Sequence, residues 1–294
     1  MQLIFNLVVG LSTLNTRSLL NHRNLDISEY VLGFGLFGVV YNGIYTLDGF
    51  EMEVAVKIQN ENEVIKAAIL EHFKGVKKRE KIDHLLANIP KMVENERKML
   101  VYLSRIRQHS NIVEFKGYGA TDAGKNFLVY ELCKINLIHV EPEFFTITKF
   151  LRVIIGISRG LGYLHSIGIC HLDVKMDNVM LCDGENPKLI DFGISQTECD
   201  IDFMYPGNIE YMSPELKKGR DTQEGFFNGH QADVFALGIL FQKLNGEVPH
   251  SLGILKNRFN SLLSGMLEAN PNDRYTILEV NEELRKLNMK HLFT

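Results

Sequence analysis

Apolar runs punctuated by glycine fill residues 29–58 and end in Glu53-Val54-Ala55-Val56-Lys57-Ile58, a pattern that predicts three strands joined by turns. From Asn60 to about Arg107 the pattern turns helical, with Lys, Glu and Leu throughout and Pro90 as its main break. Ile112 to Tyr118 and Asn126 to Leu132 read as two further strands, and beyond residue 133 strands become scarce. Thr146 to His165 is a long amphipathic segment, with Phe150, Leu151, Ile154, Ile155, Ile157, Leu161 and Leu164 at helical spacing. Asp233 to Leu244 is a second apolar helix, and Ser261 to Leu267 with Tyr275 to Leu287 supply more. A strand-rich first third followed by a helical remainder is an α+β pattern in two lobes.

Composition narrows the function. The chain has 294 residues, 45% hydrophobic and 23% charged, ordinary for a globular protein large enough to bury a sizeable core. Its net charge of −4 argues against a general polyanion binder, so nucleic acid is not an expected partner. Cys133, Cys170, Cys182 and Cys199 show no metal-ligand spacing and fit free thiols in a reducing compartment, hence a cytoplasmic location. The apolar start, Met1 to Leu11, lacks a positively charged lead, is interrupted by Asn6 and is too short to span a bilayer. Membrane contact is not expected, and the segment reads as an extra element packed on the domain.

The chemistry concentrates in two strings. His171-Leu172-Asp173-Val174-Lys175-Met176-Asp177-Asn178 sets carboxylate, amine and amide in one turn, and Asp191-Phe192-Gly193 adds a second carboxylate 13 residues beyond the amide. These groups can bind a divalent metal, steady a phosphate and take a proton from a hydroxyl. Upstream, Gly33, Gly35 and Gly38 lie between two strands, where glycine lets the backbone come close to phosphates with its amides inward. A dinucleotide site would need a helix after the glycines, and Val39-Val40-Tyr41 continues as strand instead. Lys57, in an apolar strand, needs a partner or a ligand.

Taken in order, Gly33-Phe34-Gly35-Leu36-Phe37-Gly38-Val39-Val40, Val54-Ala55-Val56-Lys57, the Asp173 string and Asp191-Phe192-Gly193 resemble the eukaryotic protein kinase family. Lysine two places after Asp173 is what its serine/threonine branch shows. The resemblance implies a bilobal fold, with an N-terminal extension at 1–27, an antiparallel-sheet N-lobe at 28–132 and a mostly helical C-lobe at 133–294. It implies ATP and Mg²⁺ as cofactors and serine or threonine hydroxyls of proteins as acceptors. Asp173 becomes the catalytic base or hydroxyl orienter, and Lys175 neutralises the transferring phosphoryl group. Asn178 and Asp191 hold Mg²⁺ through oxygen. Lys57 holds phosphates and pairs with a helix glutamate. Glu96 is the first choice, because Leu100 and Leu103 follow it on one face, and Glu94 is the runner-up. Leu32, Gly33, Gly35, Gly38, Val40, Ala55, Met180 and Ile190 fall at nucleotide-site positions, with Glu131 to Cys133 as the hinge and Tyr130 behind it.

The likeness continues through Gly207 to Glu215, an expected ion pair of Glu215 with Arg274, and Asp233 as a brace for the Asp173 turn. Three departures stand out. Lys57 and Glu96 are 39 residues apart, longer than the family usually shows, and the insert at 60–90 is a possible docking site for a regulatory partner. Leu172 replaces an arginine that clamps a phosphorylated activation loop, so Ser195, Thr197 and Tyr205 have no such receiver. Asn208 replaces a threonine that touches the Asp173 turn. The last two departures leave a weakly catalytic, nucleotide-binding pseudokinase or scaffold as the alternative.

Overall fold

The computed structural model describes residues 20, 22–35, 37–72, 79–197, 200–202, 208–222, 226–247 and 255–292. The apolar start, Cys199, Tyr205, Gly207 and residues 73–78 of the insert lie outside these residues. The chain divides into two compact units, one formed by 1–108 with 114–132 and the other by 109–113 with 133–294.

The first unit is built on a five-stranded antiparallel sheet in the order β1 (Leu25–Gly35), β2 (Gly38–Leu47), β3 (Phe50–Gln59), β5 (Asn126–Glu131), β4 (Phe115–Ala120). Asp48 and Gly49, both at positive φ, make the two-residue turn that returns β2 as β3, with Leu47 opposite Phe50. Strand alternation does the sorting. Val54 and Val56 point to one face, where they are buried with Tyr45, Phe127 and Val129. Ala55 and Lys57 fall on the other, opposite Tyr130 and Leu128 of β5 and Asn42 and Val40 of β2. The core side of the sheet therefore holds the functional side in place without sharing residues with it.

Two helices follow β3: α1 (Asn62–His72) and α2 (Arg79–Arg105). The expected break at Pro90 is absent, and α2 runs through it as one helix of 27 residues. A proline inside a helix forgoes one backbone bond and costs about 3 kcal/mol. Burial of Glu96, Met99, Leu100 and Leu103 on the C-terminal half anchors the helix against that cost.

The second unit is organised around α3 (Ile147–Ser166), capped by the Thr146 hydroxyl, which accepts from the Lys149 amide at 3.2 Å. Phe150, Leu151, Ile154, Ile157, Leu161 and Leu164 are buried along it. Short strands that hydrophobic periodicity could not resolve form a second sheet, β6 (Ile135–Asn136), β7 (Val179–Cys182) and β8 (Asn186–Leu189). β9 (Asp200–Asp202) pairs antiparallel with β10 (Phe226–Asn228). Helices α4 (Pro214–Thr222), α5 (Gly229–Glu247), α6 (Lys256–Met266) and α7 (Ile277–Leu292) complete the unit. No helix among the described residues is long and apolar enough to cross a membrane.

The reading of all four cysteines as free thiols is corrected here. Cys133, just before β6, is bonded to Cys182 at the end of β7, with their Cα atoms 4.5 Å apart. Antiparallel pairing of β6 with β7 brings the two positions that close, a proximity that a spacing of 49 residues does not announce. Cys170 is buried and takes no part in that disulfide.

Candidate active site

In the first unit, Lys57 extends from β3 to the carboxylate of Glu96 on α2, with Nζ 2.8 Å from Oε1 and 2.7 Å from Oε2. Glu96 is 2% exposed, and the Tyr130 hydroxyl donates to its Oε1 at 2.8 Å. A carboxylate so deep needs all three bonds. Glu94 instead pairs with Arg97 on the same helix. The role of Tyr130 was legible only as bulk, although a buried tyrosine hydroxyl needs a partner.

The three glycines before Lys57 serve different ends. A Cβ on Gly38 would lie 2.6 Å from the Ile58 carbonyl oxygen, so the sheet itself demands glycine there. A Cβ on Gly33 or Gly35 would meet nothing within 4 Å. Packing leaves that space open, which suits a ligand that must approach the backbone. Val40 and Ala55 share the Lys57 face, and Leu32 is exposed. The Glu131 side chain accepts from the Glu114 amide at 2.6 Å.

In the second unit the Asp173 turn is braced from several sides. Asp233 on α5 accepts from the amides of His171 at 2.8 Å and Leu172 at 2.7 Å, and its Oδ2 also meets His165 Nε2 at 2.9 Å. Bonds to both amides hold Leu172 at φ 66, a left-handed conformation costly for a branched side chain. His171 accepts from the Asp173 amide at Nδ1 (3.3 Å) and meets the Ile190 carbonyl through Nε2 (3.1 Å). Those partners select the neutral imidazole with its proton on Nε2. Sequence reasoning gave roles to neither histidine.

The residues expected to react converge on Asp173. Its Oδ2 accepts from Lys175 Nζ and from Asn178 Nδ2, both at 2.7 Å, and Asn178 Nδ2 also reaches the Asp173 carbonyl at 2.9 Å. With its amino group turned to Asp173, Asn178 has its amide oxygen left for a cation. The Asn178 carbonyl accepts from the Ile190 amide at 3.0 Å, which ties the turn to Asp191 next along the chain. Asp191 stands at φ 63, its Oδ1 accepting from the Gly193 amide at 3.2 Å. Carboxylate and amide oxygens are the donor set that a hard cation such as Mg²⁺ takes, so these residues fit the ion. Met180 lies half-buried on β7, and Cys133 keeps only its backbone groups for a ligand because its sulfur is bonded.

Leu172 occupies an apolar cluster with Cys170, Met212, Leu216 and Ala232, against which Ile194 and Phe227 pack. The segment after Asp191 is fastened there by backbone: Cys170 and Gln196 exchange both hydrogen bonds, at 2.9 and 3.0 Å, and the buried Ser195 hydroxyl donates to the His171 carbonyl. Asn208 spends its side-chain oxygen on the Glu210 amide at 2.9 Å. Further along, Glu215 and Arg274 form a two-pronged pair at 2.7 and 2.9 Å. Burial pushes the Glu215 carboxyl up, but the Arg274 guanidinium and the residue's own backbone amide outweigh it and hold it below the ordinary carboxylate range.

The protein kinase domain matches residues 27–254, and the chain belongs to the protein kinase family. It is 31% identical over 226 residues to a probable serine/threonine-protein kinase of Dictyostelium discoideum, covering 75% of this chain and 21% of that protein. It is 32% identical over 158 residues to the serine/threonine-protein kinase STY17 of Arabidopsis thaliana, covering 51% of this chain and 26% of the relative. The serine/threonine-protein kinase par-4 of Caenorhabditis briggsae is 26% identical over 213 residues, 69% of this chain and 31% of its own. The chain thus spans less than a third of the length of each of these three relatives.

Proposed function

We propose that this chain transfers the γ-phosphoryl group of ATP to serine or threonine hydroxyls of proteins. The observation that carries the reading is the Asp173 cluster, in which one carboxylate oxygen is held by both Lys175 and Asn178. That arrangement fixes the carboxylate and leaves Oδ1 to orient an incoming hydroxyl and accept its proton as the oxygen attacks phosphorus. The phosphoryl group moves to that oxygen and ADP departs, so the charge to be stabilised lies on the transferring phosphoryl. Lys175, already at Asp173, sits where it can neutralise that charge. Lys57, steadied by Glu96, is assigned the phosphates that stay behind, and the open space at Gly33 and Gly35 supports close approach of the backbone to them. Asn178 and Asp191 are assigned the metal. Bound there, Mg²⁺ supplies charge neutralisation on phosphate oxygens.

The test uses labelled ATP, Mg²⁺ and a generic protein substrate, with Asp173→Asn alongside. Turnover is expected to fall by about 10²–10⁴-fold in the variant while ATP binding stays near wild type, since orientation and proton acceptance act in the transition state. A variant with near wild-type turnover would remove Asp173 from the chemistry. The second reading is a nucleotide-binding scaffold, favoured by Asn208, whose side-chain oxygen is committed to Glu210 rather than to the Asp173 turn. ATP binding without phosphoryl transfer by the wild-type chain would establish it.

A further inference from the structure

Helix α1, the first helix of the long stretch between Lys57 and Glu96, spends its buried face within the chain. Ile65 is 0% and Ile69 4% exposed, and Phe37 of the glycine-rich turn and Leu86 of α2 pack against them. At spacing i, i+4 the two isoleucines make one ridge. The residue leading into α1 adds two polar holds on the same turn: the Asn60 amide donates to the Phe37 carbonyl at 3.0 Å, and Asn60 Nδ2 donates to the Gly35 carbonyl at 3.2 Å. Leu86 stands ten residues before Glu96 on one continuous helix, a rise of about 15 Å. One short helix therefore joins the turn to the helix that carries the partner of Lys57.

We infer that α1 is an internal clasp for the glycine-rich turn, and that Ile65 and Ile69 are positioning residues for nucleotide phosphates, acting through Phe37. The nucleotide part of this inference rests on the kinase reading above. A Cβ on Gly33 or Gly35 would meet nothing within 4 Å, and the conformational freedom that glycine backbone keeps must be given up when phosphates bind. Anchoring Phe37 and the Gly35 and Phe37 carbonyls pre-orders the turn, so less is lost on binding. Because the clasp touches no reacting group, it acts on affinity and leaves the chemical step alone.

The experiment compares wild type with Ile65→Ala/Ile69→Ala by amide hydrogen exchange without nucleotide, by Mg-ATP affinity and by steady-state kinetics. The Asn60 amide is expected to exchange faster in the variant, the Kd and KM for Mg-ATP to rise about tenfold and kcat to stay within about twofold. Phe37→Ala added to the double variant is expected to cost little more, because the contact is already gone. Ile65→Val/Ile69→Val should restore affinity. Val280→Ala, in the core of the second unit, controls for general destabilisation and should lower Tm without moving either readout. Unchanged exchange at Asn60 would overturn the clasp. Faster exchange with unchanged Kd would overturn the positioning role. A wild-type chain that binds no Mg-ATP would sink the kinase reading and the positioning role with it, while the exchange data would still decide the clasp.

Discussion

Two buried ion pairs, one in each unit, use opposite designs. Arg274, with no exposed side-chain surface, directs all five of its N–H donors: two to Glu215 and the others to the carbonyls of Glu268, Gln231 and Ala269. Its guanidinium also lies 5.0 Å from the centre of the Phe235 ring. Lys57 presents a single ammonium to both oxygens of Glu96, and its carboxylate partner takes a third bond from Tyr130. Arginine's planar fork binds many acceptors in one fixed geometry, whereas an ammonium is a point charge on a flexible stem that can be redirected. The first pair is a bolt of the fold, and the second suits a site where a charge must answer to an incoming phosphate.

Arg274→Ala should give the largest effect, a loss of about 3–5 kcal/mol in denaturant unfolding, because Glu215 is left buried without its partner. A loss under about 1 kcal/mol would mean that the pair behaves as a surface one. Lys57→Met should show the inverse profile. Turnover is expected to fall about 10²–10³-fold, with a smaller loss of stability than Arg274→Ala causes. Equal stability losses in the two variants would break the comparison. Arg274→Lys keeps the charge but offers three donors where five are used, and roughly 1–3 kcal/mol should be lost.

Acid provides a finer test. The Glu215 carboxyl titrates below its ordinary 4.5 in the folded chain, so its stabilisation is fully present above that pH and is lost as pH falls through the lowered folded value. Unfolding free energies followed down from about pH 5 should decline less steeply in Glu215→Gln than in wild type. A matching slope would exclude Glu215 as a source of the acid limb. The smallest effect belongs to the described part of the segment that follows Asp191. With Leu172 among apolar side chains and Ser195 buried on the His171 carbonyl, the described loop is fastened by packing and backbone. Thr197→Ala, or phosphatase treatment, should therefore leave turnover within about twofold. A collapse of rate with the fold intact would show that a phosphate is needed after all.

How much of this the sequence carried depends on the range of the interaction. The strand alternation around Lys57 and the α3 stripe are local periodicities, and both led to elements that the structure contains. Glu96 was preferred over Glu94 on the same grounds, from the apolar residues that follow it on the helix. Strands of two to four residues, β6 to β8, are too short to display a period. The continuity of α2 through Pro90 depends on tertiary burial that overrides a local breaker. The seat of Phe37 on Ile65 and Ile69 and the meeting of Cys133 with Cys182 come from chain folding alone, and no spacing rule encodes them. His165 and His171 were hidden for another reason: their partners, Asp233 and the Ile190 carbonyl, become visible only once the Asp173 turn is built.

The bond between Cys133 and Cys182 also acts on the chain when it is not folded. It closes a ring across 49 positions that contains α3 and the whole Asp173 turn. A denatured chain so tied has fewer random arrangements open to it, and chain statistics put the difference at about 4 kcal/mol. The oxidised chain starts refolding with β6 already near β7, while the reduced chain must bring those strands together by diffusion across the full loop. One sequence thus poses two different search problems, and the thiol chemistry of the surrounding medium selects between them.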